Sequence, residues 1–270
     1  MRSSTHSGER CDPVGSRHTT QRSTIQAVFF DWGDTLVRYP GFSTDGGGHL
    51  EAVETFFRWF EAAAECRCLA ATGTTSAAFV EAYRKASEDQ FAVMADTGVD
   101  QPMGARIVTA LEQCGCVCGG NDGRTDIYLG KLLDELAFRT AMMPGAKQVL
   151  TELGQQFSLA VVSNYPESSF VFRTLTQHGL RHFFDTVVVS ADVGRMKPHA
   201  LPFERAMQAL SVQPTEVLFV GDDLRSDMAG AAALGCTTAW LPRQPAPPTP
   251  DVHHVLAELT ELLDLPICRK

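Results

Sequence analysis

The run I-Q-A-V-F-F-D-W-G-D-T-L, Ile25 to Leu36, decides how this 270-residue chain folds. Ile25 to Phe30 are nearly continuous in apolar character, the pattern of a short strand buried on both faces of a parallel sheet. The run ends on Asp31, which sets a carboxylate at a strand C-terminus, and Gly33 and Asp34 follow in the turn. In open α/β sheets ligands bind at that edge. An Asp so placed is suited to attack phosphorus as a nucleophile. A turn or cap carboxylate is the ordinary alternative.

Three more signatures follow in a fixed order: V-V-S-N (Val161 to Asn164), M-K-P (Met196 to Pro198) and V-G-D-D-L-R-S-D (Val220 to Asp227). The first and third again close apolar runs. The Ser163 hydroxyl and the Asn164 N–H are able to bind phosphoryl oxygens, although Ser-Asn after a strand also makes a plain helix cap. The Lys197 ammonium would offset charge at Asp31, against the default of a solvated surface lysine. Magnesium takes oxygen ligands and keeps several waters, so one or two carboxylates suffice. Asp222 best fits that position. Asp223 and Asp227 are read as outer or water-mediated ligands, or as acids at a helix N-terminus.

Working outward, strands are expected at 158–163, 186–190, 217–220 and 237–241, alternating with helices. One helix begins after Pro144-Gly145 and ends at Gly154, and others end at Gly179 and Gly235. The proline-rich stretch 242–250 reads as an extended linker, and 252–263 as a last helix. Between the first two strands, Leu50 to Ala64, Thr75 to Ala95, Pro102 to Cys114 and Asp126 to Ala141 show helical spacing separated by glycines. The expected fold is α/β, a doubly wound, Rossmann-like parallel sheet with an inserted α-helical cap. Residues 1–24 form a disordered tail, 25–37 and 144–270 the core, and 38–143 the cap.

The four signatures together resemble the haloacid dehalogenase superfamily of aspartate-nucleophile hydrolases, over roughly residues 25 to 243. The resemblance implies a strand order of 5-4-1-2-3 and a C1-type cap. It implies a Mg²⁺-dependent phosphatase acting on a small phosphorylated metabolite through an aspartyl-phosphate at Asp31. Ser163, Asn164 and Lys197 would bind the phosphoryl group, with Asp31, Gly33, Asp222 and Asp227 at the metal. The departure is Gly33, where the family pattern D-x-D-G-T has a second Asp, the acid–base group. Asp34 arrives one residue late. Side chains at odd and even offsets along an extended backbone face opposite ways. A turn at Gly33 would be needed to re-aim Asp34 as the acid–base group.

Two other readings stay open here. A 2-haloacid dehalogenase also uses an Asp nucleophile and lacks the second Asp, but it has no acidic cluster like that of Asp222 to Asp227, and it favours an Arg at the substrate carboxylate that the sequence does not place. A phospho-ligand-binding protein with an impaired site is the non-enzymatic reading. A receiver domain would not carry a hundred-residue insert.

Composition narrows the partners. A net charge of −9 offers no basic surface for nucleic acid or an anionic membrane. No apolar run approaches the roughly 20 residues that cross a bilayer. The chain is expected in the cytoplasm, with the Ser/Thr/Arg-rich residues 1–24 read as a tail rather than an organelle signal. Eight cysteines are therefore expected as reduced thiols. C-G-C-V-C, with Cys114, Cys116 and Cys118, reads as a helix end entering a turn, while a zinc site with Cys66 and Cys68 is the minor alternative. Nothing in the sequence sets the oligomeric state.

Overall fold

The computed structural model describes residues 25–39, 47–63, 72–116 and 124–268. Residues 1–24, Cys66, Cys68 and Cys118 fall outside the described residues, so the tail and the zinc alternative are not addressed.

The strands are β1 (Ala27–Phe30), β2 (Val37–Arg38), β3 (Ala141–Met142), β4 (Ser158–Ser163), β5 (Thr186–Val189), β6 (Val217–Gly221), β7 (Thr237–Trp240) and β8 (His254–Val255). Six of them make one parallel sheet in the order β5-β4-β1-β6-β7-β8. Counting only β1, β4, β5, β6 and β7, this is the expected 5-4-1-2-3. The first strand lies at the centre because both its faces and both its edges are covered. Val28 and Phe30 point into one buried cluster, and Ala27 and Phe29 into another. Helices Ala146–Leu153 and Ser168–Gln177 pack in the first cluster, and helix Ala200–Leu210 in the second. Helices on both faces are what near-continuous apolar strands require. Phe30 is level with Val161 on one side and Val220 on the other. Asp31, Ser163 and Asp222 therefore emerge at one edge.

Helices α1 (Gly47–Ala62), α2 (Ser76–Thr97), α3 (Met103–Gln113) and α4 (Arg124–Phe138) lie between β2 and β3. Their apolar faces meet through aromatic rings: Phe57 stacks on Phe79 at 5.0 Å, and Phe60 meets Tyr128 edge-on at 4.8 Å. The Thr75 hydroxyl accepts from the Ala78 N–H to start α2, and Gly98, with φ 66°, ends it. That left-handed conformation is one that glycine adopts without cost.

Three expectations are corrected. The fourth helix stops at Phe138, and Ala141 enters β3, where it pairs with Arg38 while Met142 pairs with Val37. Backbone pairing of the two connections outcompetes helical continuation there. The last segment is not a helix over 252–263. Its start forms β8, fixed by Leu256 N–H to Trp240 C=O (2.8 Å) and by Thr238 Oγ1, which donates to the Asp251 carbonyl. A 3₁₀ turn, Leu259–Asp264, then buries Leu259 and Leu262, so the three-residue apolar spacing is satisfied by a tighter coil. Finally, Cys116 is disulfide-bonded, against the expectation of reduced thiols. Cys114, Cys236 and Cys268 are free. Cys114 caps α3 before Gly115, as the helix-end reading of C-G-C-V-C anticipates. Among the described residues no helix is long and apolar enough to cross a membrane.

Candidate active site

Lys197 organises the edge of the sheet. Its Nζ donates to Asp31 Oδ1 (2.6 Å), to the Val162 carbonyl (2.6 Å) and to Asp227 Oδ1 (2.7 Å). Only 3% of the residue is exposed, and three acceptors match the three donors of an ammonium. Burial alone would drive the ammonium to lose its proton, but the charges of Asp227 and Asp31 outweigh burial and raise its pKa. Asn164 holds the backbone beneath: its Oδ1 accepts from the Lys197 N–H (2.7 Å) and its Nδ2 donates to the Lys197 carbonyl (2.9 Å). The side-chain amide of Asn164 thus positions Lys197. From the sequence only its backbone N–H is expected to act.

Asp31, Asp222 and Asp227 each offer an oxygen within 4.8 Å of the others, and all three are buried. Asp227 comes from a π-helical turn, Leu224–Ala229, directly after β6. The wide turn folds Asp227 back under its own strand, where Oδ2 accepts from the N–H groups of Asp222 and Asp223 (both 3.1 Å). Gly221 is required there, because a Cβ would stand 2.6 Å from Asp227 Cγ. Asp223 is exposed and caps the turn, accepting from the N–H groups of Arg225 and Ser226. The Asp222 carbonyl accepts from Trp240 Nε1 (2.8 Å).

Burial raises the pKa of all three carboxyls. Asp31 is raised by desolvation and by Asp222, with Lys197 opposing. Asp222 and Asp227 are each pushed up to about 6, by burial first. Asp31 and Asp227 share the Lys197 ammonium, and Asp222 shares the Arg243 guanidinium with Asp34, so four acids meet two cations and positive charge is short. Their donor atoms are all hard oxygens, which suits Mg²⁺ or Ca²⁺ and not a soft metal. Both oxygens of Asp227 are already engaged, so Asp31 and Asp222 are the carboxylates that fit a divalent ion.

Ser163, Asn164, Gly33, Asp223, Ser226, Tyr39 and Arg243 join these acids around a cavity of about 130 Å³. The structure thus brings every residue singled out by the sequence to this cavity except Asp34. Asp34 lines a neighbouring cavity of about 440 Å³ instead. It is Asp34, not Gly33, that takes the left-handed conformation, with φ 53°. The turn expected at Gly33 is therefore one residue later, and it aims the Asp34 carboxylate at Arg243 Nη1 (3.1 Å). Gly33 is needed for space: a Cβ would lie 2.8 Å from Tyr39 Cε1. Tyr39 packs on Trp32 (5.0 Å) and Tyr165 (5.9 Å), so an aromatic ring occupies the volume beside Gly33.

Arg243 is a site residue that no motif in the sequence marks. It lies three residues beyond β7 in the proline-rich stretch, and its Nε donates to Asp222 Oδ2. The available signal was positional, since every loop that follows a strand in a parallel sheet opens at this edge.

Fold and site define a doubly wound α/β protein with a carboxylate–lysine centre at a sheet edge. The haloacid dehalogenase-like hydrolase family model matches residues 25–235, and the chain belongs to that family. A phosphoglycolate phosphatase of Vibrio vulnificus is 36% identical over 130 residues, 46% of this chain and 56% of that protein. The chain spans about half the length of the curated relatives it matches first. Among solved structures, the magnesium-bound putative HAD-hydrolase YfnB of Bacillus subtilis superposes with a TM-score of 0.61 at 20% identity, covering 89% of this chain and 98% of that one. A 2-haloacid dehalogenase of Pseudomonas syringae pv. Tomato gives a TM-score of 0.65 at 19% identity, over 89% and 97%. Likeness at this level speaks to the fold.

Proposed function

We propose that the protein is a Mg²⁺-dependent phosphatase for a small phosphorylated metabolite, working through an aspartyl-phosphate on Asp31. The observation that carries this reading is the cluster of Asp31, Asp222 and Asp227 around Lys197. Asp31 is the nucleophile. Its carboxylate is held by Lys197, whose charge also offsets that of the incoming phosphoryl group. Ser163 and Asn164 line the same cavity and supply donors to phosphoryl oxygens. Asp31 and Asp222, with the backbone of Gly33, hold the ion, and Asp227 keeps Lys197 in place. When bound, the ion offsets repulsion between the carboxylate and the phosphate. Asp34, linked to Asp222 through Arg243, is the proton donor to the leaving group and then the base for water. Residues 38–143 serve as a C1-type cap over this edge. A cytoplasmic location fits this reading, because a phosphomonoester dianion made there does not leave across a bilayer unaided.

A second reading, 2-haloacid hydrolysis, gains one observation: Arg243 lines the cavity, although Asp222 and Asp34 already hold its guanidinium. The crowded acids weigh against it, because halide displacement from carbon needs no metal and gains nothing from them. One panel decides: phosphomonoesters and 2-haloacids, each with Mg²⁺ and with chelator. Phosphate release that needs Mg²⁺ and vanishes in Asp31→Asn is expected. Halide release in chelator would replace this reading with the dehalogenase. Binding of phosphate esters without turnover would leave a ligand-binding protein.

A further inference from the structure

The 130 Å³ cavity holds little more than the phosphoryl group itself, so the rest of a substrate must extend into adjoining space. Two larger cavities adjoin it. The one of about 440 Å³ shares Arg243 with it, and its charges cancel: Arg38 and Arg243 face Asp34 and Glu258. The other, about 500 Å³, shares Asn164, Lys197, Asp223 and Ser226 with the phosphoryl cavity, and it differs in charge. It opens between the end of α2, at Met94 to Gly98, and the core loops carrying Arg195, His199 and Arg225.

Neither Arg195 nor Arg225 is paired with a carboxylate among the described residues. Arg195 Nη1 donates to the Thr97 carbonyl (3.1 Å), and the neighbouring Met196 N–H donates to the Gly98 carbonyl (2.9 Å). These two bonds fix the Arg195 loop against the end of α2 without neutralising the guanidinium. The acid on this wall, Asp223, spends Oδ1 on the N–H groups of Arg225 and Ser226 and on the Ser226 hydroxyl. That bonding pins the backbone of Arg225 beside the mouth of the phosphoryl cavity. In a chain of net charge −9, two uncompensated arginines converging on one cavity are a local reversal of the field. Guanidinium groups pair with carboxylate and phosphate oxygens in fork geometry.

We infer that Arg195 and Arg225 form a second anion-binding subsite, selecting phosphomonoesters whose leaving alcohol carries a further acidic group, a carboxylate or a second phosphate. The inference rests on the phosphatase reading for its reaction but not for its binding. With Asp31 in the phosphoryl cavity and the arginines on the wall of the cavity that adjoins it, a diacidic substrate is held at both ends.

The test compares glycerol 3-phosphate with 3-phosphoglycerate, a matched pair in which a hydroxymethyl group is replaced by a carboxylate. Propane-1,3-diol bisphosphate supplies the phosphate version. Wild-type kcat/KM should favour the diacidic esters, and the preference should shrink as salt screens it. Arg225→Ala should cut kcat/KM for the diacidic esters by roughly ten- to a hundredfold, the range for a hydrogen bond to a charged group. Its effect on glycerol 3-phosphate should be much smaller, so the ratio of the two is the readout. Arg225→Glu, equally exposed, should reverse the preference. Equal losses on all esters, or no wild-type preference, overturns the subsite. Calorimetric binding to Asp31→Asn protein keeps the two claims apart. Diacidic esters that bind tightly through Arg225 but are never turned over by wild type would overturn the phosphatase reading and support the subsite. Turnover without discrimination would do the reverse.

Discussion

Asp34 occupies the position where the family pattern has glycine, and Gly33 the position where it has the acid. The exchange moves a carboxylate by one residue and, through φ 53°, swings it onto Arg243. Burial raises the Asp34 pKa, with Arg243 opposing. A raised carboxyl pKa favours the protonated form that a general acid needs. Asp34→Asn is therefore expected to lower turnover of alkyl phosphates by roughly 10²–10⁴-fold, the usual span for general acid–base catalysis. Aryl phosphates, which leave with little protonation, should lose far less. A small loss identical for both classes would reduce Asp34 to a turn residue. Restoring the family acid by Gly33→Asp should fail on its own, because the new Cβ meets the Tyr39 ring at 2.8 Å. Overpacking of that kind costs roughly 1–3 kcal/mol. Thermal melting should show the loss, and Gly33→Asp with Tyr39→Ala should recover most of it. A single variant as stable as wild type would show that the ring moves freely aside.

The elements that were legible in the sequence are those whose physics is local. β1, β4, β6 and β7 are apolar runs closed by Asp31, Ser163-Asn164, Gly221-Asp222 and Pro242 in turn, and the insert helices carry repeating apolar faces. Thr75 and Gly98 cap α2 with the residue types expected at those positions. Thr75→Ala should cost about 1 kcal/mol, the usual loss for an N-cap hydroxyl. A denaturation midpoint unchanged in Thr75→Ala would mean that α2 is held by packing alone. What stayed hidden was set by partners distant in sequence. β2 and β3 are two residues each and exist because 37–38 and 141–142 meet. β8 exists because β7 offers it an edge. The site divides the same way. Asp31, Ser163, Lys197, Asp222 and Asp227 sit in recognisable local motifs. Arg243 sits in a proline-rich stretch with no pattern of its own, and Tyr39 matters only through the space beside Gly33.

Taken together, the buried acids make the metal-free protein sensitive to pH. The folded-state pKa of Asp222 is about 6, above the ordinary carboxyl value of 3.8, so folding favours its protonated form. That contribution is present at low pH and is lost as pH rises toward and through about 6. Asp222→Asn removes the charge at every pH. In chelator, its melting temperature relative to wild type should therefore be higher at pH 7.5 than at pH 5, where wild-type Asp222 is largely protonated. A difference that does not change with pH would mean Arg243 alone already satisfies the carboxylate. Mg²⁺ should raise the wild-type melting temperature and leave that of Asp222→Asn nearly unmoved. The central place of β1 also bears on how the chain is made. Its neighbours in the sheet, β4 and β6, begin at Ser158 and Val217, long after Phe30 has left the ribosome. At roughly 5–20 residues per second, an apolar strand with two open edges waits on the order of ten seconds or more for its second neighbour. The helices of the insert, whose contacts are largely with one another, are synthesised during that wait. The nascent chain thus exposes its stickiest segment first, and a chaperone bound near Ala27–Phe30 would have to let go only once β6 emerges.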